Sequence, residues 1–229
     1  MFCGAKNGWM VKMESAESSI DNELVKEFWR KRAGLEDNRW TPMPYLKFEI
    51  EKIQEFLNDT RKLSILDLGS GSGSLSRHLT KPNDTLTAVD FESSFERFFL
   101  QDPRYHFIHC EVDKFISPQK YDLILLFGVV TSLTAQEEDV TYQNMKSMIS
   151  NDGLVIVKNQ CSDSDEFIFN GFSKELDTNY SARYPNSLEQ RDRLLRQFNE
   201  VEILKYPSWS KQYRNSSHLM FICRESCSH

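Results

Sequence analysis

No cysteine framework runs through this chain. Its five cysteines, Cys3, Cys110, Cys161, Cys223 and Cys227, are odd in number and scattered. Only Cys223 and Cys227 stand close together, and no histidine or cysteine cluster completes a metal site around them. Free thiols in a reducing cytoplasm are the expectation, with no bound metal. Long apolar runs are missing too: none approaches the roughly 20 residues that cross a bilayer, so no membrane partner is expected. The opening residues lack the apolar stretch of a signal peptide, and Gly4 is not where a myristoylated glycine must stand. Residues 1–18 read as a flexible tail. An excess of positive charge is also absent. Lys and Arg number 28 against 34 Asp and Glu, for a net charge of −6. A chain of that balance offers no track of cations for a polyphosphate, so a nucleic-acid partner is not expected. No fixed-period repeat or low-complexity tract interrupts the sequence.

What the 229 residues do contain, at 39% hydrophobic and 27% charged, is the composition of a soluble globular protein long enough for a full α/β domain. Leu46, Ile50, Ile53 and Leu57 recur at helical spacing behind Pro44. Strand-length apolar runs follow at Leu63–Leu68, Leu86–Val89, Tyr105–Ile108, Tyr121–Phe127 and Leu154–Val157. Helical stretches are expected between them at Ser93–Leu100 and Gln136–Ile149. Strand and helix in alternation imply a parallel sheet covered on both faces. After a helix expected at Ser187–Phe198, two more strands, Val201–Tyr206 and His218–Cys223, are separated only by Pro207–Ser217. That link is too short for a helical crossover, which makes the pair antiparallel.

The strongest local signal runs from Ile65 to Gly73. A strand ends at Asp67, and Gly69, Ser70, Gly71, Ser72 and Gly73 form a turn leading into a helix. A nucleoside cofactor lying over the carboxyl ends of the strands needs such a turn, because side chains there would block its approach. A nicotinamide enzyme needs one as well. Two features separate the two, and a third fits both. The spacing is G-x-G-x-G, with Ser74 where the dinucleotide fingerprint wants a glycine or alanine. Asp67 precedes the turn, where a carboxylate suits a cationic amino group better than a pyrophosphate. Asp90 closes the next strand, where an acid can accept from both ribose hydroxyls of either cofactor. Helix capping is the purely structural alternative for both acids.

The segment from Asp67 to Gly73 resembles motif I of the class I S-adenosylmethionine (SAM) dependent methyltransferases, and Asp90 resembles their motif II acid. Further along, Ile108–Val112 resembles the segment whose acid meets the adenine amino group. Here Glu111 stands for the usual aspartate, Cys110 for the usual glycine, and Val112 follows. Tyr121–Val130 resembles the motif at the end of the fourth strand, with Phe127 bordering the methyl-transfer site. The resemblance covers about Asn22 to Arg224. It implies a doubly wound, mostly parallel seven-stranded sheet with an antiparallel last strand and an N-terminal helical cap. A single domain would span 19–229, the cap 19–44 and the core 45–229. The implied cofactor is SAM. Phe91 would lie on the adenine or simply pack helix on sheet. Arg32, in the basic aromatic segment Glu27–Ala33, would meet the cofactor carboxylate or belong to a solvated helix face.

The acceptor side carries weaker signals. An acceptor hydroxyl calls for a general base, for which His218 and Asp163 are the candidates. Tyr180, Arg183 and Tyr184, in an insert before the last helix, would suit an anionic ring-bearing acceptor such as a sugar phosphate. Alternatively they pack a loop onto the domain edge. Together with Arg39-Trp40-Thr41 and Lys158–Cys161, the pattern resembles small bacterial methyltransferases of surface-glycan and small-molecule biosynthesis. A fainter likeness points to protein N-terminal methyltransferases. The expected reaction is methyl transfer to a small, anionic acceptor by in-line displacement. A NAD-binding oxidoreductase and a non-catalytic SAM-binding module are the readings from other classes.

Overall fold

The computed structural model describes residues 19–34, 43–57, 61–173, 177–210 and 215–225. The tail expected at 1–18, the Arg39-Trp40-Thr41 segment, Cys3 and Cys227 lie outside the described residues.

Among the described residues two helices precede the sheet: α1 (Asn22–Ala33) and α2 (Met43–Leu57). Asp21 caps α1, its side chain accepting from the N–H groups of Glu23 and Leu24 at 3.1 Å each. The apolar runs then form β1 (Ser64–Leu68), β2 (Thr85–Asp90), β3 (Tyr105–His109) and β4 (Tyr121–Phe127). The short helix α3 (Ser76–Leu79) follows the glycine turn. α4 (Ala135–Met148) leads into the long β5 (Ile149–Ser162). An antiparallel hairpin comes next, β6 (Phe167–Ser173) and β7 (Thr178–Tyr184), and then α5 (Ser187–Leu195), β8 (Glu200–Lys205) and β9 (Ser216–Arg224).

The main sheet has seven strands in the order β3-β2-β1-β4-β5-β9-β8. β1, β2, β3, β4 and β5 pair in parallel, whereas β9 runs antiparallel to both β5 and β8. β1 and β4 are buried almost throughout because helices cover both sides. On one side Leu66, Leu68 and Ile124 meet Tyr142 and Met145 of α4 and Leu194 of α5. On the other, Ile65, Leu123 and Leu125 meet Leu46 and Ile53 of α2 and Leu79 of α3. The alternation along β1 sends successive side chains to opposite cores.

Two local expectations are corrected. Ser93–Leu100 is not an α-helix; Ser93–Phe98 forms a 3₁₀ segment, with Glu92 capping it through Ser94 N–H. The stretch holding Tyr180, Arg183 and Tyr184 is not a loop insert but strand β7. Its partner β6 carries Gly171 in mid-strand and shows no clean polar alternation, so it carries little strand signal.

Candidate functional site

The turn after β1 is shaped by three glycines with positive φ: Gly69 at 69°, Gly71 at 52° and Gly73 at 67°. They do different work. A Cβ at Gly69 would fall 2.3 Å from Val129 Cγ2, and one at Gly73 2.6 Å from Phe99 Cε1. Those two positions let neighbouring segments pack onto the turn. At Gly71 a Cβ would meet nothing nearer than Phe95 Cζ at 3.9 Å, and the open side is cleft. The N–H groups of Gly69 and Ser70 donate to the Val89 carbonyl at 2.8 and 3.0 Å, clasping the turn to β2.

Asp90, at the end of β2, accepts from Gly71 N–H at 2.9 Å and from Glu92 N–H at 3.0 Å. Burial pushes its carboxyl up to about 6 against these two donors. Asp67 is buried more completely. Loss of solvation pushes it up to about 7, the Ser76 hydroxyl opposing and the Asp90 charge reinforcing. Neither acid caps a helix in the way the structural alternative required: Asp90 bridges two turns, and α3 has no side-chain cap.

Two adjoining cavities open over the carboxyl ends of the strands. The larger, about 270 Å³, is lined by Gly69, Gly71, Asp90, Phe91, Glu111, Val112 and Phe127, with Asn22, Val25, Lys26 and Trp29 of α1 across it. Gly128, Val129, Ser132, Leu133 and Glu137 close its far end. The smaller, about 100 Å³, is lined by Asp67, Gly69, Ser70, Gly71, Trp29, Phe127, Glu49 and Lys158, among others. Trp29 stands in both, and its indole N–H donates to Ser132 Oγ at 3.3 Å. α1 is therefore a wall of the site. Lys26 fastens it by an ion pair of 2.7 Å to Glu111, which Lys114 also contacts.

The structure thus brings Asp67, Gly69, Ser70, Gly71, Asp90, Phe91, Glu111, Val112 and Phe127 together, with Gly73 just behind the turn. It does not bring the other expected residues there. Arg32 lines neither cavity and lies 6.0 Å from the Phe28 ring centroid. His218 sits in an aromatic cluster with Tyr45 and Tyr206; burial and the Lys158 charge push it down to about 4. Asp163 is exposed and accepts from Ser217 Oγ at 2.8 Å.

Arg183 departs furthest from expectation. It is 2% exposed, its Nε donating to the Leu133 carbonyl at 2.9 Å, with Glu166 at 2.6 Å and Glu138 on its other nitrogens. A guanidinium so paired and buried faces neither cavity, so it is not presented to an acceptor. Tyr180 packs on Phe28 at 5.1 Å and Tyr184 stacks on Phe167 at 4.7 Å. The triplet holds the hairpin against α1 and α4.

Lys26, Trp29, Ser132, Glu49 and Lys158 were not assigned to the site from sequence. Lys158 had a signal, since it ends the apolar run Leu154–Val157 at the carboxyl edge of the sheet. The α1 contribution had one in the basic aromatic segment Glu27–Ala33, although Trp29 rather than Arg32 reaches the site; the α2 contribution had none, because helix placement over a sheet is set by tertiary packing. Among the described residues no group of His, Cys, Asp or Glu could hold a metal ion. No described helix is long and apolar enough to cross a membrane.

No family model matches the chain. It is similar to the ubiquinone biosynthesis O-methyltransferases of Rickettsia typhi, at 24% identity over 117 residues (49% of this chain, 47% of that protein), and of Rickettsia canadensis, at 25% over 152 residues (61% and 64%). The chain spans about half the length of the first of these, and somewhat more of the second. Among solved structures, the 1,6-didemethyltoxoflavin-N1-methyltransferase of Burkholderia thailandensis superposes with a TM-score of 0.71 at 16% identity, over 93% of this chain and 94% of that one. It was crystallised with 1,6-didemethyltoxoflavin and S-adenosylhomocysteine. A SAM-dependent methyltransferase of Leishmania major gives 0.68 at 17% identity, over 88% and 82%. A glycopeptide N-methyltransferase complexed with SAM gives 0.60 at 11% identity, over 77% and 93%. The strand order, the antiparallel β9 and these superpositions establish that the chain has the fold of the class I SAM-dependent methyltransferases.

Proposed function

We propose that the chain transfers a methyl group from SAM to a small-molecule acceptor. The observation that carries this reading is the tethered Asp90 carboxylate at the head of a cleft whose floor is the open side of Gly71. Asp90 has lone pairs left for ribose hydroxyls, Phe91 and Val112 line the space for a base, and Glu111 stands at its edge. The donor set also fits the group in another respect: Ser70 Oγ is buried with no hydrogen-bond partner. When bound, the sulfonium of SAM supplies the reactive carbon. The protein's residues bind and orient it, and Trp29 screens the site from water.

The acceptor reading shifts with Arg183. A sugar phosphate had that guanidinium behind it, and Arg183 is taken up by Glu138 and Glu166. The far end of the larger cavity is instead mostly apolar and aromatic, with Trp29, Phe127, Val129 and Leu133 around Ser132, and its acid, Glu137, is held by the Thr134 N–H and hydroxyl. Such a wall favours a small ring-bearing acceptor of low negative charge over an anion. One relative is named for ubiquinone biosynthesis, and one structural neighbour was crystallised with 1,6-didemethyltoxoflavin, a ring-bearing small molecule. A peptide acceptor is the second reading, supported by the likeness to a glycopeptide methyltransferase.

Two measurements test this. Calorimetry with S-adenosylhomocysteine is expected to show binding, and NADH is expected to show none. Transfer from methyl-labelled SAM is then followed by mass spectrometry over panels of phenols and heteroaromatics, sugar phosphates and short peptides. No binding of S-adenosylhomocysteine at millimolar concentration would sink the cofactor assignment. Methylation of the sugar phosphates alone would overturn the acceptor reading.

A further inference from the structure

We propose that Lys158 holds the α-carboxylate at the amino-acid end of SAM, with Glu49 and Tyr206 fixing its position. The inference rests on SAM being the cofactor.

Lys158 stands on β5 beside Phe127 of β4, at the carboxyl edge of the sheet. Its side chain is 9% exposed, and what remains accessible faces the smaller cavity. The ammonium carries three donors. Its nearest anion is Glu49 Oε1 at 3.6 Å, too far for a hydrogen bond, and the Tyr206 ring centroid lies at 5.9 Å. Among the described residues it makes no hydrogen bond. A buried ammonium in that state calls for an acceptor in the space it faces. Glu49 is itself 1% exposed and receives the Tyr206 hydroxyl at 2.6 Å, so α2 and the end of β8 hold the carboxylate that steers the lysine.

The rest of the cavity completes the argument. Asp67 lines it too, so acid and cation are offered to one small space, as a zwitterionic amino acid requires. The other two lysines on the cleft, Lys26 and Lys114, both pair with Glu111 on the far side of Asp90. Arg32, which the sequence suggested for this task, lines neither cavity. His218 is held neutral next to Lys158, so it does not compete for an anion.

Dissociation constants for two ligands separate this from a purely structural Lys158–Glu49 pair. S-adenosylhomocysteine carries the amino acid, and 5′-methylthioadenosine keeps the nucleoside and sulfur without it. Lys158→Met is expected to weaken S-adenosylhomocysteine roughly tenfold to a hundredfold, the range of one charge-assisted contact. Binding of 5′-methylthioadenosine should stay within about twofold. Because the single change leaves the buried Glu49 carboxylate with the Tyr206 hydroxyl but without its neighbouring cation, the Lys158→Met/Glu49→Gln double variant is measured beside it, and the same selective loss is expected. Equal loss for both ligands in the double variant would make the pair structural and overturn the proposal. Unchanged affinity for S-adenosylhomocysteine would overturn it too, including where the acceptor KM rises instead. If folded wild-type protein binds 5′-methylthioadenosine and S-adenosylhomocysteine equally, the carboxylate contact fails while the nucleoside site stands. If it binds neither, the cofactor reading itself fails.

Discussion

Asp67, next to last in β1, has 5% of its surface exposed, and its carboxyl is pushed up to about 7 from an ordinary 3.8. Between those two values the folded chain holds a proton that the unfolded chain releases. The contribution of Asp67 to stability therefore falls as pH rises through that window and is lowest above it. Each tenfold change in proton affinity corresponds to about 1.4 kcal/mol. Asp67→Asn is accordingly expected to stabilise the ligand-free protein at pH 8 by at least about 1 kcal/mol, a gain that vanishes near pH 4. The same substitution should weaken S-adenosylhomocysteine, because a neutral amide answers the cofactor ammonium poorly. Urea denaturation at the two pH values, with calorimetry on the variant, checks both halves. An unchanged midpoint at pH 8 would mean the carboxylate is solvated. At this scale the sequence was informative where a backbone turn dictates residue type, as at Asp67, Gly71 and Asp90. It misled at Arg183, since a tyrosine-flanked arginine looks the same whether its partner is a ligand or a buried glutamate.

The β6–β7 hairpin links two parts of the cleft. Phe28 of α1 packs on Tyr180, while Arg183 reaches α4 through Glu138 and the preceding loop through the Leu133 carbonyl. Glu138 is fully buried and also accepts the Tyr142 hydroxyl at 2.8 Å. Arg183→Met strips a buried carboxylate of its cation and is expected to cost about 3–5 kcal/mol. Adding Glu138→Gln should recover much of that. Chemical denaturation of the single and double variants measures the coupling; a loss under about 1 kcal/mol in the single variant would show the pair to be solvent-screened. The α4 boundary, by contrast, was readable in advance to within a residue. Thr134 and Glu137 form a reciprocal capping box, with Glu137 N–H donating to Thr134 Oγ1 at 3.2 Å and Thr134 N–H donating to the Glu137 carboxylate at 2.8 Å. The hairpin was not, because its strands are partly exposed, lack a clean alternation and are stabilised by what they lean on.

For the molecule as a whole, a ligand that binds only the folded state must raise its thermal midpoint. At a hundredfold excess over its dissociation constant, S-adenosylhomocysteine should add about 2.7 kcal/mol. In a chain of this size that corresponds to a midpoint roughly 5–10 °C higher. NADH at the same concentration should leave it in place. A scan in which NADH shifts the midpoint and S-adenosylhomocysteine does not would reverse the cofactor assignment.

Strand polarity and the glycine turn are where sequence alone reached, and SAM was what the resemblance of that turn to motif I implied. Apolar runs of strand length alternating with helical stretches read as parallel strands buried on both faces, and the short link between β8 and β9 turns the last strand back. The G-x-G-x-G turn with an acid on either side follows from backbone sterics that act within a few residues. What faces the cleft was decided by tertiary structure. α1 and α2 reach it from segments far from the motifs, Lys158 is turned inward by a glutamate 109 positions earlier in the chain, and Arg183 is drawn away by Glu138. Those outcomes depend on which buried charges find each other, and a pairing between distant residues leaves no pattern in the local sequence.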